Sequence, residues 1–159
     1  CARRIAALSG LDEDKAEVLG LMHDIGRRFG ISQLKHVYDG WRYMLRLGYD
    51  EAARVCLSHS FPVKDIRVDM AAVDIAPEAY EVLGRALAAM EYDDYDRLIQ
   101  LCDCIAMAKG PVDIEERMAD VKRRYGAYPQ EKWEKNLALK ACFERRMGTT
   151  LEDALRDLG

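Results

Sequence analysis

The apolar residues of this chain recur at intervals of three and four with almost no strict alternation, a spacing that commits it to helices and leaves little room for strands. The punctuation between them agrees. Residues 2–8 read as the end of a helix closed by Gly10, and Asp12 caps a second that runs through Ala16, Val18, Leu19, Leu21 and Met22. Gly26 and Gly30 bracket a loop, Ser32 caps a helix over 33–47 that ends at Gly48, and Asp50 caps one over 51–59 that Pro62 helps to stop. Further helices are predicted over 78–90, 94–108, 114–124 and 130–146, with Gly110-Pro111 ending the second of them. Thr150 with Asp153 resembles a capping box that opens a last short helix. Only 63–77 lacks a clear period, with room for one helical turn. The fold class is all-α.

A chain of 159 residues suits one domain with a sizeable core. There is no repeat and no low-complexity linker, so the boundary is soft. It falls near Gly110-Pro111, giving a core domain over 1–110 and a helical extension over 111–159 packed on the same domain. With 24 basic and 28 acidic residues mixed along it, the chain offers no extended nucleic-acid surface. Its five cysteines form no CxxC pair, which argues against a disulfide framework or a zinc ribbon and fits a cytoplasmic protein. No stretch has the apolar length of a membrane span. Residue 1 is Cys and the pattern Ala2-Arg3-Arg4-Ile5-Ala6-Ala7-Leu8 opens in mid-helix, so the natural N-terminus is expected further upstream.

The chemistry concentrates in a few residues. His23-Asp24, in His23-Asp24-Ile25-Gly26, sets an imidazole beside a carboxylate where a helix gives way to a turn, so both reach a metal lying off the helix end. The other two histidines follow closely: His36, one turn before Gly40 on the next helix, and His59 at the end of the helix after that. A residue without a side chain at position 40 lets a neighbouring helix or a ligand come close. Asp103 stands alone in the apolar run Leu101-Cys102-Asp103-Cys104-Ile105, costly unless paired or metal-bound. Cys102 and Cys104 flank it as small buried apolar groups. Trp41, Tyr43, Met44 and Leu45 read as core, with Trp41 or Tyr38 able to stack on a base. The acidic run 91–96 reads as a solvated loop and helix start.

Over roughly residues 8–108 the chain resembles the HD superfamily of metal-dependent phosphohydrolases. Gly20-Leu21-Met22-His23-Asp24-Ile25-Gly26-Arg27 is similar to its central motif. Leu101-Cys102-Asp103-Cys104-Ile105 resembles its later carboxylate segment, and His36-Val37-Tyr38-Asp39-Gly40 with His59 resembles the additional histidines of its two-metal members. The resemblance implies an HD-domain helical bundle. It implies one metal held by His23, Asp24, Asp103 and a family histidine expected a few residues before Cys1, and a second held by His36, His59 and a bridging Asp24. It also implies a phosphohydrolase that cleaves a phosphate ester or anhydride of a small molecule, a nucleotide foremost, with metal-activated water as nucleophile. Asp24, Arg27 and Lys64 are then the catalytic candidates, the two cations facing phosphate, with Lys109 a third cation. Nitrogen and oxygen ligands without thiolate fit one or two divalent ions among Fe, Mn, Co, Ni, Zn and Mg, and the resemblance favours Fe or Mn. The alternatives are an HD-fold di-iron oxygenase and a non-catalytic module that binds metal or nucleotide. The substrate is a small phosphorylated molecule, no membrane is involved, and a homo-oligomer stays open.

Overall fold

In a computed structural model describing residues 1–158, the chain is a helical bundle; Gly159, last residue of the extension, lies outside that range. The order is α1 (Ala2–Ser9), α2 (Glu13–Met22), a 3-10 turn (Ile25–Phe29), α3 (Lys35–Arg46), α4 (Asp50–Ser58), a 3-10 turn (Ile66–Val68), α5 (Pro77–Ala89) and α6 (Asp94–Ile105). A hairpin of two-residue strands, β1 (Ala106–Met107) and β2 (Gly110–Pro111), leads to α7 (Ile114–Tyr125), α8 (Gln130–Met147), α9 (Leu151–Leu155) and a closing 3-10 turn (Arg156–Leu158).

Several helix ends follow the sequence. Gly10 takes the left-handed conformation after α1, Asp12 accepts from the Lys15 amide, and Thr150 accepts from the Asp153 amide. Others are set from a distance or shifted. The N-terminus of α3 is capped by Asp74, whose carboxylate accepts from the amides of Gln33 (2.6 Å) and Lys35 (2.7 Å), so Ser32 is not its cap. Asp50 lies inside the first turn of α4, with Tyr49 as the cap residue. The predicted loop 26–30 is a 3-10 turn. Helix α6 stops at Ile105, three residues early, because the hairpin turns the chain back and Val112 N–H takes the Ile105 carbonyl.

Burial divides the bundle around two apolar clusters. The larger joins Ile5, Leu19, Val55, Leu98, Leu101 and Phe143, so α8 seals the same core that α1, α2, α4 and α6 build. The smaller packs Leu34, Val37, Leu57 and Phe61 against Leu83 and Leu87 of α5. Tyr38 and Trp41 pack edge-on to one another beside it, while Leu45, predicted as core, is exposed. All five cysteines are free, and among the described residues no helix is long and apolar enough to cross a membrane.

The acidic run 91–96 is only partly the solvated segment its composition suggests. Asp96 is fully buried: its carboxylate accepts from Ser58 Oγ (2.7 Å) and from the Asp93 amide (2.9 Å), and lies 3.1 Å from Arg54 Nε. Asp93 returns the bond to the Asp96 amide, closing a capping box on α6. This network ties α4 to α6 one residue before His59. Asp96→Ala leaves Arg54 half-buried and the Ser58 hydroxyl without its acceptor, and is expected to cost about 3 kcal/mol. Denaturant unfolding measures it; a loss under about 1 kcal/mol would remove the network from the account of stability.

Candidate metal centre

Four segments bring their ends to one place. His23 is the C-terminal cap residue of α2 and Asp24 follows it; His36 lies in the first turn of α3, His59 caps the end of α4, and Asp103 faces them from α6. The close approach of the first two segments depends on glycine. Gly26 presses against α3 so tightly that a Cβ there would lie 1.9 Å from the His36 carbonyl oxygen and 2.7 Å from the Gly40 nitrogen. Gly40 is tight but less so, a Cβ on it meeting the Gly26 nitrogen at 3.1 Å and Cys56 at 3.4 Å. The neighbour that the bare position 40 admits is the turn carrying Asp24.

The hydrogen bonds at the rims orient the imidazoles. His23 Nδ1 is 2.6 Å from the Gly20 carbonyl, His59 Nδ1 is 2.9 Å from the Cys56 carbonyl, and His36 Nδ1 contacts the Gln33 carbonyl. A carbonyl only accepts, so each Nδ1 must be the donor. In the neutral ring that leaves each Nε2 with a lone pair, turned inward. His36 Nε2 and His59 Nε2 lie 3.3 Å apart, and Asp24 Oδ1 is 3.1 Å from the first and 3.6 Å from the second. Asp24 Oδ1 is buried and has no hydrogen-bond partner among the described residues. Acceptors thus converge with no proton between them, an arrangement that calls for a cation.

Asp24, His36 and His59 each offer a ligand atom within 4.8 Å of the others, which fits one divalent ion. His23 Nε2 faces Asp103 Oδ1 at 3.8 Å in the adjoining space beside Cys1. The electrostatics agree with positive charge at both places. Burial alone would raise the Asp24 carboxyl, but His36, His59 and Arg27 hold it well below the usual carboxylate range. For His23, burial works to lower the imidazole and is overcome by Asp103, so its pKa is raised; that of Asp103, where burial is outweighed by His23 and His59, is lowered. His59 goes the other way: burial, and then the neighbouring His23, bring it down from 6.5 to about 4. Burial pushes the Cys102 and Cys104 thiols up to about 12, so neither offers a thiolate to the site.

His59 gives the metal-free protein a pH-dependent stability of definite sign. Between about pH 6.5 and 4 the unfolded chain takes up a proton that the native imidazole refuses, so stability falls as pH falls across that window, by about 3 kcal/mol in all. His23, raised, acts oppositely: its contribution is complete at low pH and is lost as pH rises through its folded value. His59→Gln is expected to flatten the acid limb of a Tm–pH profile recorded with chelator. An equally steep limb in the variant would assign it to other groups.

Of the cationic candidates, Arg27 is at the centre. Its Nε donates to Asp24 Oδ2 at 2.5 Å, and Nη2 lies 3.4 Å from His36 Nε2. Lys64 is not brought there: its ammonium donates to the Met90 carbonyl at 2.6 Å, sits over Tyr92, and lines a separate cleft. Its five-residue separation from His59 does not carry it inward, because 62–65 leads away from α4 toward the end of α5. Lys109 is an exposed residue of the hairpin turn. The cleft over the candidate metal centre, about 300 Å³, takes its other wall from α7, α8 and the segment between them, where Arg117, Arg124, Tyr125, Tyr128 and Lys132 line it; Tyr38 and Trp41 do not. Sequence reasoning missed these residues, and nothing in their spacing marks them, since α7 reads as an ordinary charged helix.

The bundle brings Asp24, His36 and His59 within ligand distance of one another, with the His23–Asp103 pair beside them, a donor set of the kind that holds a divalent ion. The chain belongs to the HD-domain family, whose family model matches residues 1–108, from α1 into the hairpin after α6. That places it in a superfamily of metal-dependent phosphohydrolases. The chain matches no curated protein and no solved structure. The family match ends before α7, so the helices forming the far wall of the cleft lie beyond it.

Proposed function

We propose that this chain is a phosphohydrolase that removes a phosphoryl group from a small phosphate ester or anhydride, a nucleotide being the foremost class, using one or two divalent metals. The observation that carries this is Asp24 Oδ1, buried and unpartnered between the inward-facing Nε2 atoms of His36 and His59. His36, His59 and Asp24 would hold one ion, and His23 and Asp103, with Asp24 between the two places, would contribute to a second. Bound there, divalent metal acidifies a water and takes up charge on the phosphoryl oxygens. The backbone carbonyls of Gly20, Gln33 and Cys56 keep the rings in the tautomer that binds. Arg27 keeps Asp24 ionised and is the cation nearest the place a phosphoryl group would occupy. Because the α7–α8 wall stands over the centre, the phosphoryl group reaches it through a confined cleft and is oriented there.

The test is metal analysis of the purified protein followed by phosphate release from nucleotides and generic phosphate esters, with Fe, Mn, Co, Ni, Zn and Mg supplied in turn. Metal-dependent release that His23→Ala abolishes is the expected result. Release unaffected by that change would reject the site. Oxygen consumption with a di-iron absorption band would indicate an oxygenase instead, and stoichiometric metal without turnover a binding module.

A further inference from the structure

The cleft carries cations on the wall opposite the candidate metal ligands as well as beside them. Among the described residues it is lined by Arg27, Arg117, Arg124 and Lys132 against Asp69 and Asp103. Most of these charges are already engaged. Arg27 bonds Asp24, Lys132 Nζ donates to Asp69 at 2.9 Å in a nearly buried pair, and Arg124 Nε donates to Asp120 at 2.9 Å.

Arg117 differs. Its Nε is buried with no hydrogen-bond partner among the described residues, and its one carboxylate contact is a long 3.5 Å approach of Nη1 to Asp120, which Arg123 and Arg124 also hold. A buried guanidinium N–H without an acceptor is costly, and the residue is held there by α7 packing through Met118 and Ile114 into the main core. Arg117 also stands apart from the metal ligands. It enters from the wall beyond Cys104 and makes no hydrogen bond or ion pair with His23, Asp24, His36, His59 or Arg27.

We propose that Arg117 receives a second anionic group of the substrate, a phosphate or a carboxylate distinct from the phosphoryl group that is cleaved. The substrate is then a small phosphate ester with two anionic groups, one directed to the metal centre and one to the α7 wall. The planar fork of Arg suits either oxyanion, and a guanidinium whose own carboxylate contact is as long as 3.5 Å is free to take up an anion in the cleft. Arg117 is a specificity residue in this arrangement, while Asp24 and the histidines serve the cleaved group. The inference rests on the phosphohydrolase reading for its account of turnover but not for its account of binding.

The test pairs substrates that differ only in the second anion: adenosine 5′-monophosphate with adenosine 3′,5′-bisphosphate, and glycerol 3-phosphate with 3-phosphoglycerate. The wild-type protein is expected to favour the doubly anionic member of at least one pair by about tenfold or more in kcat/KM, and the pair preferred tells phosphate from carboxylate. Arg117→Gln should raise KM for that member by about 10- to 100-fold with kcat little changed, and leave the singly anionic member within about threefold. Arg117→Lys, which keeps the charge but loses the fork, should fall between, and replaces the Gln variant if that one does not fold. No preference in the wild-type protein, or an equal fall in kcat on both members, overturns the proposal.

If no phosphate ester is cleaved, the phosphohydrolase reading fails and the anion site is read by calorimetry with inorganic pyrophosphate and 3-phosphoglycerate. Binding of one of them at least tenfold weaker in Arg117→Gln than in wild type supports the site. Equal binding, or none to the wild-type protein, rejects it.

Discussion

Asp24→Asn is expected to leave the fold standing and remove the metal centre. The substitution keeps the shape of the side chain, and the amide can now donate to His36 Nε2, 3.1 Å from the present Oδ1, so the unpartnered buried oxygen finds a neutral solution. Without metal, the new bond to His36 offsets part of the lost ion pair with Arg27, so the variant should stay within about 1 kcal/mol of the wild type. With metal the two separate. An ion at 100 times its Kd stabilises the wild-type protein by about 2.7 kcal/mol, and the variant, with no anionic ligand between His36 and His59, should show almost none of that rise. Phosphate release should fall by at least about 10³-fold, the scale at which losing an electrostatic group at a reacting centre is felt. Thermal melts with and without metal, beside metal content and phosphate release, read all three effects. A variant that still binds its full metal complement would move the centre away from Asp24.

The contrast between the two walls of the cleft shows what a linear sequence carries. The meeting of His23-Asp24, His36, His59 and Asp103 was legible chiefly because their order along the chain resembles that of a known family; local rules place the ends of α2 and α4, but neither the start of α3 nor the end of α6. Once α2, α3, α4 and α6 pack around one core, those positions must meet. The caps at Asp12 and Thr150 were legible from local rules, being satisfied within three residues. Asp74 was not, since it caps α3 from some forty residues away and nothing local requires it. Lys64 misled because sequence distance from His59 says little about direction once the chain leaves a helix. Arg117 and Lys132 were invisible as cleft residues: which face of α7 or α8 meets the cleft depends on how these helices pack against α1 and α6, and a charged helix has the same pattern whether its arginines meet open solvent or a cleft.

Gly26→Ala should be strongly destabilising. A Cβ at this position would stand 1.9 Å from the His36 carbonyl oxygen, 2.8 Å from the His36 carbonyl carbon and 2.7 Å from the Gly40 nitrogen. All are backbone atoms of α3, so no rotamer change relieves the overlap; the 3-10 turn and α3 must part. Its backbone is not in the left-handed region, so the cost is steric. Restricting the unfolded chain returns only about 0.4–1 kcal/mol. A net loss of about 3 kcal/mol or more is expected, or about 6–12 °C in Tm for a chain of this size. The movement also falls on the metal centre, because Asp24 lies two residues before Gly26 and His36 is the residue struck. Metal affinity should therefore drop even below the new Tm, where the protein remains folded. Gly84→Ala separates this from a general intolerance of alanine: its Cβ would meet Ile66 at 3.4 Å, an ordinary contact in the middle of α5, so it should raise stability by about 0.5–1 kcal/mol and leave metal binding alone. Retention of wild-type Tm and metal affinity in Gly26→Ala would mean that the turn and α3 do not hold Asp24 against His36, and the centre would need another origin.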